Sequence, residues 1–199
     1  MNRPWIETNT LHHAAFSDIS ALVETKERKG LTLSLCLPTL NEEKTIAKEI
    51  VMVVRPLFSL FFPELAQLLQ PLSGEYAGYR TVFENIPFLI GYGVETGMIL
   101  DIYRKWGLGV MAQVNLDKRV HRNQDTRALG RMSFIIMKTF FDRIEKLGRI
   151  ALTRTLFEEM IQFVLINNEH LPEIHTMILE ERPPMVEVEA YRQKFAQRI

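Results

Sequence analysis

Leucines alternate with small residues over Leu31–Leu37, and this short pattern runs directly into a polar turn. The intervening residues are Thr, Ser and Cys, so we predict a strand that is covered on both faces. Pro38 ends this strand because proline has no N–H to donate to a sheet. Thr39 and Glu42 fit the capping box S/T-x-x-E, with Asn41 as a competing N-cap, so a helix is predicted to begin near Glu42. The first-turn amides of such a helix face any ligand at the carboxyl end of the strand.

Beyond residue 54 the hydrophobic spacing is mostly helical. The residue before Pro56 is disfavoured in helical geometry, so the first helix is predicted to end or kink there. A helix over Glu95–Trp106 is predicted to end at Gly107, and Gly109–Leu116 is predicted as a second short strand. Further helices are predicted over Thr126–Leu147, Arg154–Leu165 and Val186–Ala196. With two convincing strands only, we expect a helix-dominated chain with a minimal sheet and fewer than five strands.

The segment Leu57–Leu69, LFSLFFPELAQLL, is apolar nearly all round. Exposed on a monomer, it would form an apolar patch above the ~300–600 Å² usual for soluble monomers. Two arrangements satisfy it: packing onto the first helix of the same chain, or an isologous contact with a second copy. The sequence favours the second arrangement, a homodimer.

Bulk composition restricts the class of protein without selecting a function. The 199 residues are 47% hydrophobic and 24% charged, which suits one domain with a substantial core. Lys+Arg and Asp+Glu are equal at 24 each, which gives no electrostatic case for nucleic acid or an acidic membrane surface. The single cysteine, Cys36, is expected to be a reduced, buried thiol. No run approaches the ~18 apolar residues of a membrane span, and we expect a cytoplasmic protein.

One glutamate stands out among glycines, in the segment G-Y-G-V-E-T-G of Gly91–Gly97. Glycines permit close approach of the backbone to a ligand, which favours a functional role for Glu95. The alternative is that Glu95 is an acidic first-turn residue that complements the helix dipole. His121 lies in a basic loop and, from its surroundings alone, could equally be an exposed histidine.

Four motifs together resemble one family. They are L-C-L-P-T-L-N-E-E-K-T-I from Leu35, Q-P-L-S-G-E-Y-A-G from Gln70, the Gly91–Gly97 segment, and A-Q-V-N-L-D-K-R-V-H-R-N from Ala112. The first resembles the opening of the GT-A glycosyltransferases, and the set resembles the glucosyl-3-phosphoglycerate synthases. The resemblance covers nearly the whole chain. It implies a nucleotide-diphospho-sugar transferase fold with a Rossmann-like core.

The resemblance also implies roles for individual residues. It assigns the base and ribose of the sugar nucleotide to Pro38, Thr39, Leu40 and Glu42. In the same family Glu95 would sit beside the reacting sugar and acceptor, as the catalytic residue, with Tyr92 as a neighbouring contact. The R-x-H-R-N loop would supply Arg119 to the donor diphosphate, His121 to a metal and Asn123 to the phosphoglycerate.

One element of that family is missing from the sequence. Such enzymes hold Mg²⁺ or Mn²⁺ with an Asp-x-Asp pair, because hard cations bridging a diphosphate prefer carboxylate oxygens. The five aspartates here are isolated, at Asp18, Asp101, Asp117, Asp125 and Asp142. Val53-Val54 runs directly into Arg55-Pro56-Leu57, where the family has further strands, the aspartate pair and a G-R-V-T acceptor loop. The simplest explanation is an in-frame internal deletion.

The sequence therefore predicts an α/β protein: a truncated GT-A, Rossmann-like core with a minimal sheet, followed by a helix-rich C-terminal half. Residues 1–54 are interpreted as part of the nucleotide-sugar-binding domain. Residues 55–199 are interpreted as the acceptor and metal-loop part with a helical dimerisation surface, and the two form a single structural unit.

By resemblance, the function is transfer of glucose from a nucleoside-diphosphate glucose to 3-phosphoglycerate with retention, a step toward the compatible solute glucosylglycerate. The alternative is a non-catalytic, internally deleted remnant that acts as a dimerisation or ligand-binding module. An enzyme of unrelated chemistry has no support, since the sequence shows no nucleophile–base pair, P-loop or Cys/His cluster.

Overall fold

The computed structural model describes residues 5–31, 33–36, 50–72, 74–115 and 125–195. The helices in these ranges are α1 (Trp5–Asn9), α2 (Ile19–Arg28), α3 (Arg55–Phe61), α4 (Arg80–Glu84), α5 (Val94–Trp106), α6 (Thr126–Lys146) and α7 (Glu189–Phe195). The strands are β1 (Thr10–His12), β2 (Leu33–Cys36), β3 (Tyr76–Tyr79), β4 (Phe88–Leu89), β5 (Gln113–Asn115), β6 (Glu159–Ile166), β7 (Glu169–Thr176) and β8 (Glu181–Arg182).

The strands form four separate pairs, and this corrects the expected strand number. Within the described ranges β1 pairs with β5 in parallel, while β2–β3, β4–β8 and β6–β7 pair antiparallel. Eight strands exceed the limit of fewer than five, so that expectation was wrong. Each sheet has two strands, so in the part of the chain described the sheet is minimal in width.

Both strands expected from the sequence are present, in altered form. Leu33–Cys36 is a strand, but its partner Tyr76–Tyr79 runs antiparallel to it. In the predicted strand Gly109–Leu116, a 3₁₀ turn occupies Leu108–Val110 and only Gln113–Asn115 is extended. The start of the first predicted helix, near Glu42, lies outside the described residues.

A proline marks a change of helix type. Ile50–Val54 has π-helical geometry and leads into α3, which carries Pro56 in its first turn. Proline is tolerated there because first-turn N–H groups have no intrahelical acceptor. At the kink expected near Pro56, the backbone therefore changes from π-helical to α-helical geometry.

The core forms where α3 and the following turn pack on α6. Phe58, Phe62 and Leu65 are at most 1% exposed, and Phe140 of α6 contacts both phenylalanine rings. Each buried phenylalanine contributes about 1.5–3 kcal/mol to folding. The Arg55 guanidinium closes this unit by donating to carbonyl oxygens of the turn, 2.8 Å to Ala66 and 2.9 Å to Leu69.

This packing overturns the argument that the apolar segment needs a second chain. Most of Leu57–Leu69 is covered within the chain, with Leu60 and Leu69 left as its exposed large side chains at 76% and 49%. The segment is covered within its own chain, as in the first arrangement, but the partner surface is helix α6 rather than the first helix.

The C-terminal third holds two confirmed helices and one error. Helix α6 begins after Asp125, whose side chain accepts from the N–H groups of Arg127 and Ala128, and Gly148 follows its end with φ of +67°. The predicted helix Arg154–Leu165 was wrong: residues 154–158 are neither helix nor strand, and the first strand of the β6–β7 hairpin begins at Glu159. A terminal helix follows the proline pair as predicted, over Glu189–Phe195.

Helix α7 is anchored on α4, since the Arg80 guanidinium and the Tyr191 hydroxyl both contact the Glu84 carboxylate. Arg80 also covers the Phe195 ring at 4.4 Å.

Over the residues described, no helix combines the length and hydropathy that a bilayer crossing requires.

Candidate functional site

The segment Gly91–Gly97 forms the entry to helix α5. Gly91 has φ of +79°, a left-handed conformation that glycine adopts without strain, and a 3₁₀ turn over Gly91–Gly93 leads into Val94. At the other end, Gly107 with φ of +75° donates its N–H to the Tyr103 carbonyl and ends the helix. The bounds predicted for this helix are confirmed to within one residue.

Glu95 lies in the first turn of α5 and is tied to a distant loop. Its Oε1 accepts a hydrogen bond from the backbone N–H of Gly74 at 2.7 Å. Burial raises the pKa of the Glu95 carboxyl to about 7, and the Gly74 hydrogen bond opposes that rise. A carboxyl with such a pKa exchanges protons near neutral pH, which is suited to binding or polarising a hydroxyl.

The glycines around Glu95 have packing roles that the sequence did not reveal. A Cβ at Gly93 would lie 2.3 Å from Thr139 Oγ1 of α6, and one at Gly97 would lie 2.8 Å from a methyl of Leu89. Both are therefore needed for the close contact of α5 with α6 and β4. Gly93 and Gly97 therefore have a packing role, because a side chain at either position would face the protein interior. Approach of a ligand to the three glycines stays a prediction.

Of the residues assigned by resemblance, the structure describes Tyr92 and Glu95. Tyr92 is partly buried in the 3₁₀ turn, three positions before Glu95 in the same helix entry. The others lie outside the described residues: Pro38, Thr39, Leu40, Glu42, Arg119, His121 and Asn123.

The described ranges supply no set of side chains for a metal ion. Within them no group of three or more His, Cys, Asp or Glu side chains is placed to hold an ion. The full sequence also contains no Asp-x-Asp pair. The residues present therefore do not fit the carboxylate-based metal centre that the resemblance implies.

A buried charge network under α5 escaped the sequence analysis. Arg143 is 3% exposed, and its Nε donates to Asp101 Oδ2 at 3.0 Å and its Nη1 to Asp142 Oδ2 at 2.8 Å. The same guanidinium contacts Glu181 of β8, which ties α5, α6 and the C-terminal segment together. The signal was Asp101 itself, an acid inside the apolar run M-I-L-D-I-Y. A cavity of about 100 Å³ lies beside this network, and Arg104 and Lys146 also line it.

Comparisons with known proteins give a consistent result. No protein-family model matches the chain. The glucosyl-3-phosphoglycerate synthase of Petrotoga mobilis is 43% identical over 145 residues, which are 73% of this chain and 45% of that protein. The enzyme of the same name from Mycolicibacterium smegmatis is 40% identical over 136 residues, 67% of this chain and 42% of that protein.

Solved structures agree with the curated relatives. Mannosyl-3-phosphoglycerate synthase from Rubrobacter xylanophilus matches with a TM-score of 0.64 and 38% identity, over 70% of this chain and 45% of that one. Glucosyl-3-phosphoglycerate synthase from Mycobacterium tuberculosis, in complex with Mn²⁺, UDP and phosphoglyceric acid, matches with a TM-score of 0.62 and 37% identity, over 69% and 46%.

These matches confirm the resemblance read from the motifs, over about 70% of the chain. They also confirm the coarse fold class, a mixed helix and strand structure related to GT-A glycosyltransferases. The chain spans about half the length of the relatives and structures that it matches.

Proposed function

We propose that this homologue of the glucosyl-3-phosphoglycerate synthases has the reaction class of those enzymes, transfer of glucose from a nucleoside-diphosphate glucose to 3-phosphoglycerate with retention. The identity of 43% to the Petrotoga protein supports the class. So does the likeness to a Mycobacterium tuberculosis structure that contains UDP-glucose and phosphoglyceric acid. A neighbour named for mannosyl transfer leaves the hexose to be determined by experiment.

The observation that carries this proposal is the placement of Glu95. Its carboxylate is held at the start of α5 by Gly74, inside the motif that resembles the reacting centre of the family. In the proposed role, Glu95 accepts hydrogen bonds from hydroxyls of the sugar and the acceptor and fixes their relative position. Orientation of two reactants is one of the larger contributions an enzyme makes to rate. Tyr92, on the same helix entry, would contact the substrate beside it.

The remaining assignments extend the proposal to residues outside the described ranges. Pro38, Thr39, Leu40 and Glu42 would bind the donor nucleoside, and Arg119 would face its diphosphate, where a cation stabilises the charge of the leaving group. Asn123 would contact the phosphoglycerate. His121 is proposed as a metal ligand, by analogy with neighbours that contain Mn²⁺ or Mg²⁺.

The missing aspartate pair favours a second candidate function, that of a non-catalytic remnant which binds ligand. A chain without those carboxylates lacks most of the ligands for the cation, so we expect little turnover and weak binding of the phosphorylated acceptor. This is the remnant hypothesis, in which residues 1–54 keep part of the nucleotide-sugar-binding domain and residues 55–199 keep the acceptor side as one structural unit. We propose that the protein is cytoplasmic and forms a homodimer.

Product formation and acceptor binding distinguish the two candidates. The chain would be incubated with Mg²⁺ or Mn²⁺, UDP-glucose and 3-phosphoglycerate, and glucosyl-3-phosphoglycerate measured by mass spectrometry. The transferase candidate predicts product above a blank without protein, and the remnant candidate predicts none. Robust product would contradict the remnant hypothesis and would require substitute metal ligands.

Binding is then measured by NMR titration with 3-phosphoglycerate. We expect shifts at Tyr92 and Glu95, weakened in Glu95→Gln and retained in the control Glu187→Gln in the C-terminal 3₁₀ turn. Absence of both product and binding would contradict the proposed substrate class.

A further inference from the structure

The segment of residues 180–182 lies against the entry to helix α5, although it is far from that helix in the sequence. The Ile90 N–H donates to the Glu180 carbonyl at 2.9 Å, and Ile90 directly precedes the glycine motif that contains Glu95. We propose that residues 180–182 position the Glu95 side chain, and that Glu181 holds these residues in place. The inference rests on the function proposed for Glu95 and adds to it residues that act on the site through the backbone.

The pairing of β8 with β4 is too short to be stable by itself. Each strand has two residues, with Phe88 opposite Arg182 and Leu89 opposite Glu181. An isolated pair of strands is only marginally stable in water even when the strands are longer. A contact outside the backbone ladder must therefore hold β8 in place.

That contact is the ion pair between Glu181 and Arg143. The Arg143 guanidinium is 3% exposed, and it donates to Asp101 at 3.0 Å and to Asp142 at 2.8 Å. Its Nη2 contacts the Glu181 carboxylate, and the Lys146 ammonium lies 3.5 Å from the same carboxylate. Asp101 and Asp142 belong to helices α5 and α6, so of these acidic partners Glu181 is the one that comes from another segment. Because a guanidinium presents its N–H groups in fixed directions, the ion pair fixes β8 relative to both helices.

Leu89 joins β4 to the surface of α5 beside Glu95. Its side chain is 5% exposed, and its Cδ1 lies 3.4 Å from the place of a Cβ at Gly93 and 2.8 Å from that of a Cβ at Gly97. These two glycines stand two positions before and two positions after Glu95. A displacement of β4 would therefore move the side chain that packs on the first turn of the helix.

Hydrogen bonds fix the helix entry at two points. Before the entry, the Ile90 N–H is bonded to the Glu180 carbonyl, and within it the Glu95 carboxylate accepts from the Gly74 N–H. Between these points Gly91 has φ of +79°, and glycine adopts other backbone conformations at little cost. Without the first hydrogen bond the chain would reorient at Gly91, and the Glu95 carboxylate would spend less time on the Gly74 N–H.

NMR of the full chain tests the proposal with the variant Glu181→Ala. The variant should fold, because Arg143 keeps Asp101 as a buried partner. Hydrogen exchange at the Ile90 amide should become at least about tenfold faster than in the wild type, as expected when a charge-assisted contact is lost. Exchange at the Gly107 amide, at the other end of α5, should not change.

The second measurement reports on the Glu95 carboxylate itself. In the wild type, the chemical shift of the Gly74 amide proton should change with pH around the Glu95 pKa of about 7. In Glu181→Ala this change should shrink by about half or more, because a carboxylate that samples several positions is less often within hydrogen-bond distance. The dissociation constant for 3-phosphoglycerate should rise roughly three- to tenfold. A general loss of stability would alter none of these quantities in a chain that remains folded.

Two further variants separate positioning from the loss of a charge. Glu158→Ala also removes a carboxylate that pairs with a cation of α6, Lys138 at 3.2 Å, and should leave both amide measurements as in the wild type. Glu181→Gln keeps an oxygen that accepts from Arg143, so its effects should lie between those of the wild type and Glu181→Ala. Equal effects of Glu158→Ala and Glu181→Ala would contradict the proposal.

The remaining outcomes are also decisive. Faster exchange at Ile90 with an unchanged Gly74 titration would show that residues 180–182 support the strand pair without positioning Glu95. Unchanged exchange at Ile90 would contradict the role of Glu181. Neither measurement needs substrate, so a wild type that binds no 3-phosphoglycerate would contradict the proposed function, while the two amide measurements would still decide this inference.

Discussion

The backbone N–H of Gly74 and the carboxylate of Glu95 are joined by a 2.7 Å hydrogen bond across 21 positions of the sequence. Gly74 has φ of +73°, which glycine adopts without strain, and so the loop can present its amide to the helix entry. The contact holds Glu95 in one position while burial keeps its pKa near 7. It therefore links the Gln70–Gly78 motif to the Gly91–Gly97 motif physically.

The first prediction is that Glu95→Gln stabilises the fold in alkaline solution. Burial raises the folded-state pKa of Glu95 from its ordinary value of 4.5 to about 7, so the folded chain binds this proton more tightly than the unfolded chain. Stability from this group is present below about pH 4.5 and is lost as the pH rises toward about 7. Glutamine stays neutral and still accepts from Gly74. The melting temperature of Glu95→Gln should match the wild type near pH 4.5 and exceed it near pH 8.

Asp125 provides a control, because its folded-state pKa is shifted in the opposite direction to that of Glu95. The N–H groups of Ala128 and Arg127 hold the pKa of this capping carboxyl below its ordinary value. Its contribution is therefore present above the unfolded pKa and disappears as the pH falls. Asp125→Ala should lower the melting temperature near neutral pH and have a smaller effect in acid. A Glu95→Gln difference that follows the same direction as Asp125→Ala would contradict the assigned pKa shift.

The second prediction concerns the contact between Gly93 and Thr139. Gly93→Ala should lower the free energy of unfolding by about 1–3 kcal/mol, because its Cβ would overlap Thr139 Oγ1. Thr139→Ala removes that oxygen, which is buried and has no hydrogen-bond partner in the structure described, and should be nearly neutral. The double variant should recover most of the stability lost in Gly93→Ala.

Urea denaturation of the four proteins measures this coupling. A double variant whose loss equals the sum of the single losses would show that Gly93 is required for another reason, such as the approach of a ligand. Recovery would show that the second glycine of the motif is a packing requirement of α5 on α6.

The sequence predicts the local features of this site, but not the contacts between residues that are distant in the sequence. The bounds of α5 and α6 follow from local signals, an Asp125 cap and glycines at the ends, and both were predicted within one residue. The contacts of Gly93 with Thr139 and of Gly74 with Glu95 join distant segments and carry no local pattern. Two-residue pairings such as Phe88–Leu89 with Glu181–Arg182 are equally invisible, because so short a strand has no periodicity.

The hairpin was missed because its sequence fits two periods. Apolar residues at Phe157, Met160, Ile161, Val164 and Leu165 follow the helical i, i+3, i+4, i+7, i+8 spacing. The same stretch alternates in exposure as a strand. Two features favour the strand over the helix. They are the β-branched residues in this stretch and the pair Asn167-Asn168 after it, since asparagine tolerates the positive φ that a two-residue hairpin turn requires.

The third prediction concerns the buried guanidinium of Arg143. Arg143→Met leaves Asp101 buried without its principal cation, and removing one member of a buried pair costs about 3–5 kcal/mol. Lys146→Met is the control, since Lys146 joins the same network through Asp142 from a side chain that is 52% exposed, and should cost at most about 1 kcal/mol.

Adding Asp101→Asn to Arg143→Met should recover part of the loss, because it removes the unpaired charge. Denaturant unfolding of the single and double variants checks this. Equal, small losses in Arg143→Met and Lys146→Met would show that the Arg143 contacts contribute no more than a surface pair does.

The fourth prediction concerns the hairpin turn. Asn167 and Asn168 join β6 to β7 with φ of +50° and +66°, so both central residues of this two-residue turn are left-handed. Such turns match the twist of the strands, and glycine is preferred at the second position because it has no Cβ to strain. Asn168→Gly should raise the free energy of unfolding by up to about 1 kcal/mol, whereas Asn168→Val should lower it by about 1–2 kcal/mol.

Thermal and urea unfolding of both variants measure these changes. Asn168 lies beyond the paired residues of β6 and β7, so neither substitution removes a strand hydrogen bond, and the difference between the variants reports the cost of a left-handed backbone. An Asn168→Val variant as stable as the wild type would show that this turn does not require a left-handed residue at its second position.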